Sequence, residues 1–258
     1  MIQERLKNLI LDQTTNTKFR LIYSDTLSAA MNMATDEALF ASFDEKSLPI
    51  FRVYDWEKSF TIGISQDFSK FPNTNKFEEY NRNYSKRITG GGILFHGHDV
   101  SYSLLIPNSY MSGLNVKQSY EKICTFLLEF YKSLGLEAMY VKDDKNTTLS
   151  KSEFCQIGFE AYDILVNGKK IGGNAQRRTK NFIFQHGSIP LRAVKDKKEA
   201  GYSLEQLEIC LQNSEAKDRM INSFAKTFNV DFEQSILNKK EKEKLEHLII
   251  NKYDKGQI

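Results

Sequence analysis

The sequence predicts an α+β fold in which a mixed, largely antiparallel sheet is flanked by helices. Three observations support this prediction. Strand-type segments outnumber helical ones in the middle of the chain, a two-residue turn joins two of them, and an amphipathic helical segment precedes that turn. The chain has 258 residues, 40% of them apolar. A chain of this size is expected to hide about 70–75% of its unfolded surface in a core.

The first half of the chain begins with a helix and continues into strands. Residues 28–43 are rich in Ala, Met and Leu, and Ser28 is a suitable N-cap, so a helix is predicted there. Runs of β-branched and aromatic residues then predict four strands, over residues 50–54, 60–64, 93–95 and 101–106.

A second helix and a loop follow. Residues 116–134 place apolar side chains at three- and four-residue steps, and Gly135 follows as a C-terminal stop. This spacing predicts an amphipathic helix. The polar run of residues 142–153 predicts a loop.

The strongest local signal is Asn167-Gly168, which suits a type I′ turn between strands over residues 163–166 and 169–171. A further strand is predicted over residues 182–191. From about residue 202 to the end, the chain is predicted to be helical and charged.

Composition and charge exclude several classes of function. The 36 basic and 33 acidic residues leave a formal charge of +3, which predicts neither nucleic-acid binding nor attachment to a membrane surface. No run of eighteen apolar residues predicts a transmembrane helix, and the charged N-terminus argues against a signal peptide. Three separated cysteines predict no disulfide framework, and the His96-x-His98 pair lacks a third metal ligand. We therefore expect a cytoplasmic protein without a metal.

The sharpest motif is KRITGGGILFH, residues 86–96. Three consecutive glycines allow backbone N–H groups to approach an anionic or carbonyl ligand closely. The motif is not a Walker A loop, because its Gly-Lys-Ser/Thr end is missing, and it is not a Rossmann turn, because a strand follows. Spacing alone supports two interpretations equally, a ligand-binding loop and a glycine-rich bulge between strands.

This segment resembles the Arg-Arg-x-Thr/Ser-Gly-Gly-Gly-x-x-x-His signature of the biotin/lipoate A/B protein ligase family, which includes lipoate–protein ligases and octanoyltransferases. Two further stretches, residues 32–39 (NMATDEAL) and 168–177 (GKKIGGNAQR), are similar to motifs of that family in the same order. The resemblance implies a class II biotin/lipoyl-ligase-like fold. It also implies a single catalytic domain over residues 1–258, with a core of about 20–191 and a helical C-terminal part of about 202–258. Lys86 replaces the first arginine of the signature and lacks its bidentate fork.

The resemblance also implies where the acyl group binds. The residues that it assigns to acyl binding are Arg87, Gly90, Gly91, Gly92, Ile93, His96, Gly173 and Ala175. The family lysine falls on Lys170, near the acyl carbonyl, where an ammonium stabilises a developing oxyanion by several kcal/mol. The alternative for Lys170 is an ordinary solvated lysine on a hairpin.

The three cysteines differ in their predicted surroundings. Cys124 lies on the apolar stripe of a predicted helix and Cys210 in a helical segment, so both are expected to be buried. Cys155 follows a polar loop, and the resemblance places it at the nucleophile position of carrier-dependent octanoyltransferases. An ordinary thiol is only about 3% thiolate at pH 7, and a nearby cation increases that fraction. Cys155 and Lys170 are therefore the predicted catalytic residues.

The leading hypothesis is an octanoyl or lipoyl transferase that needs no cofactor. It takes the acyl group from an acyl carrier protein or a lipoylated protein, holds it as a Cys155 thioester and passes it to a lysine. The acceptor is a lipoyl-domain protein, such as the glycine cleavage H protein or a dehydrogenase E2 component. Only 67 residues follow Leu191, which favours this hypothesis because classical lipoate ligases carry a further accessory domain.

Two alternatives stay open. The first is an ATP-dependent lipoate–protein ligase, which requires ATP and Mg²⁺ and forms a lipoyl-adenylate, so that Cys155 is incidental. The second is a non-catalytic acyl-binding module, which the intact glycine loop and Lys170 disfavour.

Overall fold

The structure is a computed structural model that describes residues 16–67, 69, 74–80, 83–150 and 152–253. Its strands are β1 (Thr17–Leu27), β2 (Ile50–Trp56), β3 (Ser59–Ile62), β4 (Tyr84–Lys86), β5 (Leu94–His96), β6 (Asp99–Pro107), β7 (Ala138–Tyr140), β8 (Ile164–Val166), β9 (Lys169–Lys170), β10 (Gly173–Arg178), β11 (Phe182–Pro190) and β12 (Val230–Ser235). Its α-helices are α1 (Ala29–Ser42), α2 (Val116–Ser133), α3 (Asn213–Phe228) and α4 (Lys239–Leu248), and α4 continues into a π-helical turn over Ile249–Tyr253. Short 3₁₀ helices cover Thr74–Tyr80, Asn108–Met111, Val141–Asp143, Lys198–Ala200 and Glu205–Leu207.

A six-stranded sheet in the order β10-β11-β6-β2-β1-β12 forms the centre of the molecule. The pairs from β10 to β2 are antiparallel, whereas β1 pairs in parallel with both β2 and β12. Two three-stranded sheets, β4-β3-β5 and β7-β8-β9, accompany it. The predicted α+β class with a mixed, largely antiparallel sheet is confirmed.

Helices cover both faces of the central sheet. Ile50 and Phe51 are consecutive in β2, so their side chains point to opposite faces. Phe51 stacks on Phe224 of α3 at 4.4 Å between ring centroids and meets Phe126 of α2 edge-on. Ile50 packs in a separate buried cluster with Leu39 of α1. Burial of these apolar faces supplies the main stabilisation of the fold.

The predicted helices and the hairpin are confirmed, with the caps and turn residues that the sequence indicated. Ser28 caps α1 by accepting a hydrogen bond from the Met31 N–H. A capping box begins α2. Between β8 and β9, Asn167 and Gly168 both have positive φ angles, of 46° and 74°, as a type I′ turn requires.

Several strands were not predicted from the sequence, and the helical prediction for the C-terminal part is wrong in one segment. The chain was predicted to be helical from about residue 202, but Val230–Ser235 forms β12. This short edge strand lies between two charged helices and pairs with β1, more than two hundred residues away. Its apolar and polar residues alternate only weakly. They form a strand because β1 offers an unpaired edge. The eleven-residue β1 was not predicted either.

The cysteine predictions have two different outcomes. Cys124 is buried on α2, as predicted. Cys210 is exposed, in an irregular segment before α3, so the prediction that it is buried in a helix is wrong. No helix among the described residues is long and apolar enough to cross a bilayer.

Candidate active site

The glycine loop connects β4 to β5 and packs against the segment that contains Cys155. A Cβ on Gly92 would lie 2.3 Å from the carbonyl oxygen of Glu153, so this close approach of two backbones requires glycine. The N–H of Ile93 donates to the same carbonyl at 2.7 Å, and the N–H of Cys155 donates to the carbonyl of Ile93 at 2.9 Å. Gly92 therefore has a structural role: it allows the loop and the cysteine segment to pair.

The thiol of Cys155 lies between the glycine loop and β10. Its Sγ atom is 3.1 Å from the position that a Cβ would take on Gly173 and 3.9 Å from the same position on Gly91. Cys155 is partly exposed. The two glycines thus leave space for the sulfur atom and for a group that reacts with it.

Arg87 lies buried beneath the glycine loop. Its Nη2 donates to the carbonyl of Gly92 at 2.7 Å, and its Nη1 donates to Oγ1 of Thr61 at 2.8 Å. The Nη2 atom is also 3.2 Å from the position of a Cβ on Gly91, so the guanidinium and the Cys155 sulfur flank the same glycine. Burial lowers the pKa of Arg87, and negative charge on Cys155 opposes that lowering.

Lys170 lies at the end of β9 with a buried side chain, so the alternative of an exposed hairpin lysine is wrong. Its Nζ donates to the carbonyls of Cys155 at 2.8 Å and Gly158 at 2.5 Å, and to Oδ2 of Asp163 at 2.6 Å. An ammonium has three N–H donors, and these three oxygens use all of them. Lys170 therefore binds the main chain of the segment that presents the thiol.

A cavity opens beside the thiol. Met33, Trp56 and Leu94 contribute apolar wall, and Cys155 lies in the wall as well. An apolar cavity with a thiol in its wall is suited to hold an acyl chain while its carbonyl carbon meets a nucleophile.

One carboxylate–histidine–threonine chain fixes the glycine loop from the side of α1. The Nε2 of His186 lies 2.6 Å from Oγ1 of Thr89, and its Nδ1 lies 3.5 Å from Oδ2 of Asp36. Burial lowers the pKa of His186. Burial also raises the pKa of Asp36, but the charge of Arg52 and the hydrogen bonds to Asp36 outweigh it and hold that pKa below its usual range.

A second such chain lies along β3 and β5. The Nδ1 of His96 lies 2.7 Å from Oδ2 of Asp99, and its Nε2 lies 2.9 Å from Oγ1 of Thr61. The hydroxyl of Ser188 donates to the same carboxylate oxygen. The ring of Trp56 stacks on His96 at 3.8 Å between centroids. The imidazole is therefore fixed by hydrogen bonds at both nitrogens and by an aromatic face.

Within residues 16–67, 69, 74–80, 83–150 and 152–253, no group of three or more His, Cys, Asp or Glu side chains is placed to hold a metal ion. His96 and His98, the pair considered from the sequence, are both buried, and His96 is bonded to Thr61 and Asp99.

Comparison with known proteins identifies the family. The model of the lipoyl protein ligase A/B catalytic domain matches residues 28–227. The chain belongs to this family. It is accordingly an enzyme of the octanoyl/lipoyl transferase or lipoate–protein ligase type.

Two relatives support this assignment, and two solved structures share the fold. The octanoyltransferase LipM of Bacillus anthracis is 35% identical over 81% of this chain and 75% of its own length. LipM of Bacillus cereus is 32% identical over 85% and 86%. The fold is that of a putative lipoate protein ligase from T. acidophilum with bound lipoic acid, with a TM-score of 0.76, 21% identity and coverage of 92% and 97%. A lipoate-protein ligase A bound with ATP gives the same TM-score at 20% identity, covering 93% and 96%.

The predicted site residues of this family member fall into two groups. Five of them line the cavity: Arg87, His96, Cys155, Gly173 and Ala175. The other five are not among its lining residues but lie next to Arg87 or to the cysteine segment: Gly90, Gly91, Gly92, Ile93 and Lys170. The side chain of Ile93 packs in an apolar cluster with Phe60 and Phe95, and its backbone pairs with the cysteine segment.

Sequence reasoning missed three residues that hold the site together: Thr61, Asp99 and Asp163. Thr61 gave no signal, because a threonine in a strand is ordinary. Asp99 follows the histidine pair HGH and was available as its carboxylate partner. Asp163 directly precedes the hairpin that contains Lys170, and a carboxylate and a lysine across a hairpin are a recognisable pair.

Proposed function

We propose that this enzyme is an octanoyltransferase that moves an acyl group from a carrier-protein thioester to a lysine of a lipoyl-domain protein, with Cys155 as the nucleophile. The single observation on which this proposal rests is the Cys155 thiol in the wall of an apolar cavity, with space left for it by Gly91 and Gly173. The relatives named octanoyltransferase LipM support the same conclusion.

The reaction has two acyl-transfer steps. In the first, the Cys155 thiolate attacks the thioester carbonyl carbon, a C–S bond to Cys155 forms, and the C–S bond to the donor breaks. The donor thiolate leaves and takes up a proton. In the second, the neutral amine of the acceptor lysine attacks the Cys155 thioester, a C–N bond forms and the C–S bond breaks. The amine loses a proton, and the Cys155 thiolate is regenerated.

The contacts of Lys170 support a positioning role. Its ammonium binds the carbonyls of Cys155 and Gly158 and is neutralised by Asp163. These bonds fix the turn after the nucleophile, so the sulfur atom is held toward the cavity at low entropic cost. The expectation that Lys170 faces the thiol or the acyl oxyanion directly gains no support from these contacts.

The cavity wall is suited to an unfunctionalised acyl chain. Met33, Trp56 and Leu94 offer apolar surface, and each CH₂ group buried there contributes about 0.8 kcal/mol. We propose that Arg87, His96, Gly173 and Ala175 border the acyl group near its carbonyl end. The donor is an acyl carrier protein or a lipoylated protein, and the acceptor is the lipoyl domain of an H protein or an E2 component.

The decisive experiment is intact-mass analysis after incubation with octanoyl-carrier protein in the absence of ATP. The wild-type protein gains one octanoyl mass that neutral hydroxylamine removes, and Cys155→Ala gains none. Cys210→Ala is the matched control, because Cys210 is the exposed cysteine, and it keeps the adduct. Cys124→Ser tests the buried thiol in the same way.

The alternative function is ATP-dependent ligation, and the same assay separates the two. A transferase modifies a lipoyl domain from octanoyl-carrier protein alone, because a thioester already holds the activation energy. Pyrophosphate release driven by free lipoate and ATP with Mg²⁺, at wild-type turnover in Cys155→Ala, would reject the transferase and establish the ligase.

A further inference from the structure

Arg87 has an environment that is unusual for a buried arginine. Its guanidinium donates to the carbonyls of Gly90 at 3.3 Å and Gly92 at 2.7 Å and to the hydroxyl of Thr61 at 2.8 Å. None of the described carboxylates lies within 4 Å of it, so neutral oxygens are its hydrogen-bond partners in this part of the chain. A buried charge without a counterion is costly. The group beside Arg87 that can become an anion and compensate its charge is the thiol of Cys155.

The hydrogen-bond chain behind Arg87 has a defined direction. A guanidinium only donates, so Oγ1 of Thr61 accepts from Nη1, and the hydroxyl hydrogen of Thr61 is free to donate to Nε2 of His96 at 2.9 Å. His96 then has its proton on Nδ1 and donates it to Oδ2 of Asp99 at 2.7 Å. This tautomer is assigned from the network, and in it every donor meets an acceptor.

Asp99, at the far end of this series of hydrogen bonds, is also held by hydrogen bonds. Asp99 also accepts from the N–H of Gly97 at 3.1 Å and from the hydroxyl of Ser188. Thr61 is fully buried in β3, and Asp99 is fully buried in β6. The position of the guanidinium is therefore tied through Thr61 to a rigid part of the central sheet.

We infer that Thr61 is a positioning residue for acylation of Cys155: its hydroxyl connects the Asp99–His96 pair to Arg87 and holds the guanidinium toward the thiol. Arg87 and the Cys155 sulfur flank Gly91, at 3.2 Å and 3.9 Å from the position of its absent Cβ. A cation held there stabilises the thiolate and the oxyanion of the first tetrahedral intermediate. This inference rests on the proposed function, because it assigns how the proposed nucleophile is activated.

The chain offers a clean comparison at this position. Thr61→Val keeps the shape of the side chain and removes the hydroxyl, which leaves both Nη1 of Arg87 and Nε2 of His96 without a partner. Thr61→Ser keeps the hydroxyl and removes a methyl group. Thr35→Val is the matched control, because Thr35 is also buried and, among the described residues, its hydroxyl bonds only within its own helix, to the carbonyl of Met31 at 2.8 Å.

The experiment measures three quantities in each variant: the rate of Cys155 alkylation by iodoacetamide, the single-turnover rate of acylation by octanoyl-carrier protein, and steady-state kcat and KM. Peptide mapping reads the alkylation of Cys210 in the same molecule as an internal reference. Thr61→Val is expected to slow Cys155 alkylation and to lower the acylation rate and kcat about ten- to a hundredfold with KM nearly unchanged, as displacement of a catalytic group by up to about 1 Å does. Thr61→Ser restores most of the rate, and Thr35→Val retains it.

Several results would overturn the inference. Wild-type alkylation and acylation in Thr61→Val would do so, as would a loss that Thr61→Ser fails to restore or that Thr35→Val shares. If Thr61→Val does not fold, the comparison of Thr61→Ala with Thr61→Ser decides the question by the same criteria. Failure of the proposed function itself is distinguishable, because it would appear as an absent octanoyl adduct in the wild-type protein or as full transfer by Cys155→Ala.

Discussion

The ammonium of Lys170 donates a hydrogen bond of 2.8 Å to the main-chain carbonyl oxygen of Cys155. The same ammonium bonds the carbonyl of Gly158 and the carboxylate of Asp163. The proposed nucleophile is thus linked to the β8–β9 hairpin through its backbone. The lysine determines where the sulfur lies by fixing the turn from which the side chain projects.

We predict that Lys170→Met destabilises the protein by about 3–5 kcal/mol, because it leaves the buried carboxylate of Asp163 without its cation. Transfer should fall at least a hundredfold, since the Cys155 turn loses its anchor. Urea unfolding and single-turnover acylation measure the two effects. The double variant Lys170→Met/Asp163→Asn should recover part of the stability but not the rate. A stable and active Lys170→Met protein would show that these three hydrogen bonds do not hold the site.

Gly173→Ala should slow acylation of Cys155 about tenfold with little loss of stability. Its new methyl carbon would lie 3.1 Å from the Cys155 sulfur, closer than van der Waals contact, so the thiol must shift. Iodoacetamide labelling followed by peptide mapping measures the reactivity of Cys155 against exposed Cys210 in the same sample. An unchanged ratio of the two labelling rates would mean that the sulfur does not occupy this position.

Gly92 and Gly90 should respond differently to the same substitution. Gly92→Ala should destabilise the protein by about 1–3 kcal/mol. Its Cβ would lie 2.3 Å from the carbonyl oxygen of Glu153, so the backbone of the loop or of the cysteine segment must move. Gly90→Ala should change the free energy of unfolding by no more than about 0.5 kcal/mol, since the described residues leave open space there. Thermal unfolding of both variants tests the difference, and equal midpoints would contradict the pairing of the loop with the cysteine segment.

Stability should decrease as the pH falls below about 6.5. Burial lowers the pKa values of His98 and His186 in the folded state, so below the ordinary value near 6.5 the unfolded chain binds more protons than the folded one. The stabilisation is fully present above that value and is lost as the pH falls toward the folded-state pKa values. Each histidine contributes a slope of at most about 1.4 kcal/mol per pH unit.

His98→Leu tests this dependence without touching the proposed nucleophile. The Nε2 atom of His98 is buried without a hydrogen-bond partner among the described residues, and the ring bonds the backbone of Ala200, so the leucine variant removes one unpaired nitrogen and one hydrogen bond. Urea unfolding between pH 5 and 8 should show a shallower slope for the variant than for the wild-type protein. Parallel curves would indicate that His98 does not titrate differently in the folded and unfolded states.

The sequence by itself determined those features whose cause lies within a few neighbouring residues. The Ser28 cap, the apolar steps of α2 and the Asn167-Gly168 turn act locally, and each formed as predicted. The family resemblance also predicted Arg87 and Cys155 as site residues, and the side chains of both line one cavity.

Only the tertiary structure decided which distant groups meet. The strand Val230–Ser235 forms because β1 offers it an edge, and the weak alternation of its own residues gave no sign of that. Lys170 was predicted as a cation for the acyl group. The direction in which its ammonium points depends on three oxygens, those of the Cys155 and Gly158 carbonyls and of the Asp163 carboxylate. Thr61 meets His96 across 35 residues and Arg87 across 26. A hydrogen bond needs an ångström-scale approach, and for residues so far apart that approach is set by the packing of the whole sheet rather than by the residues themselves.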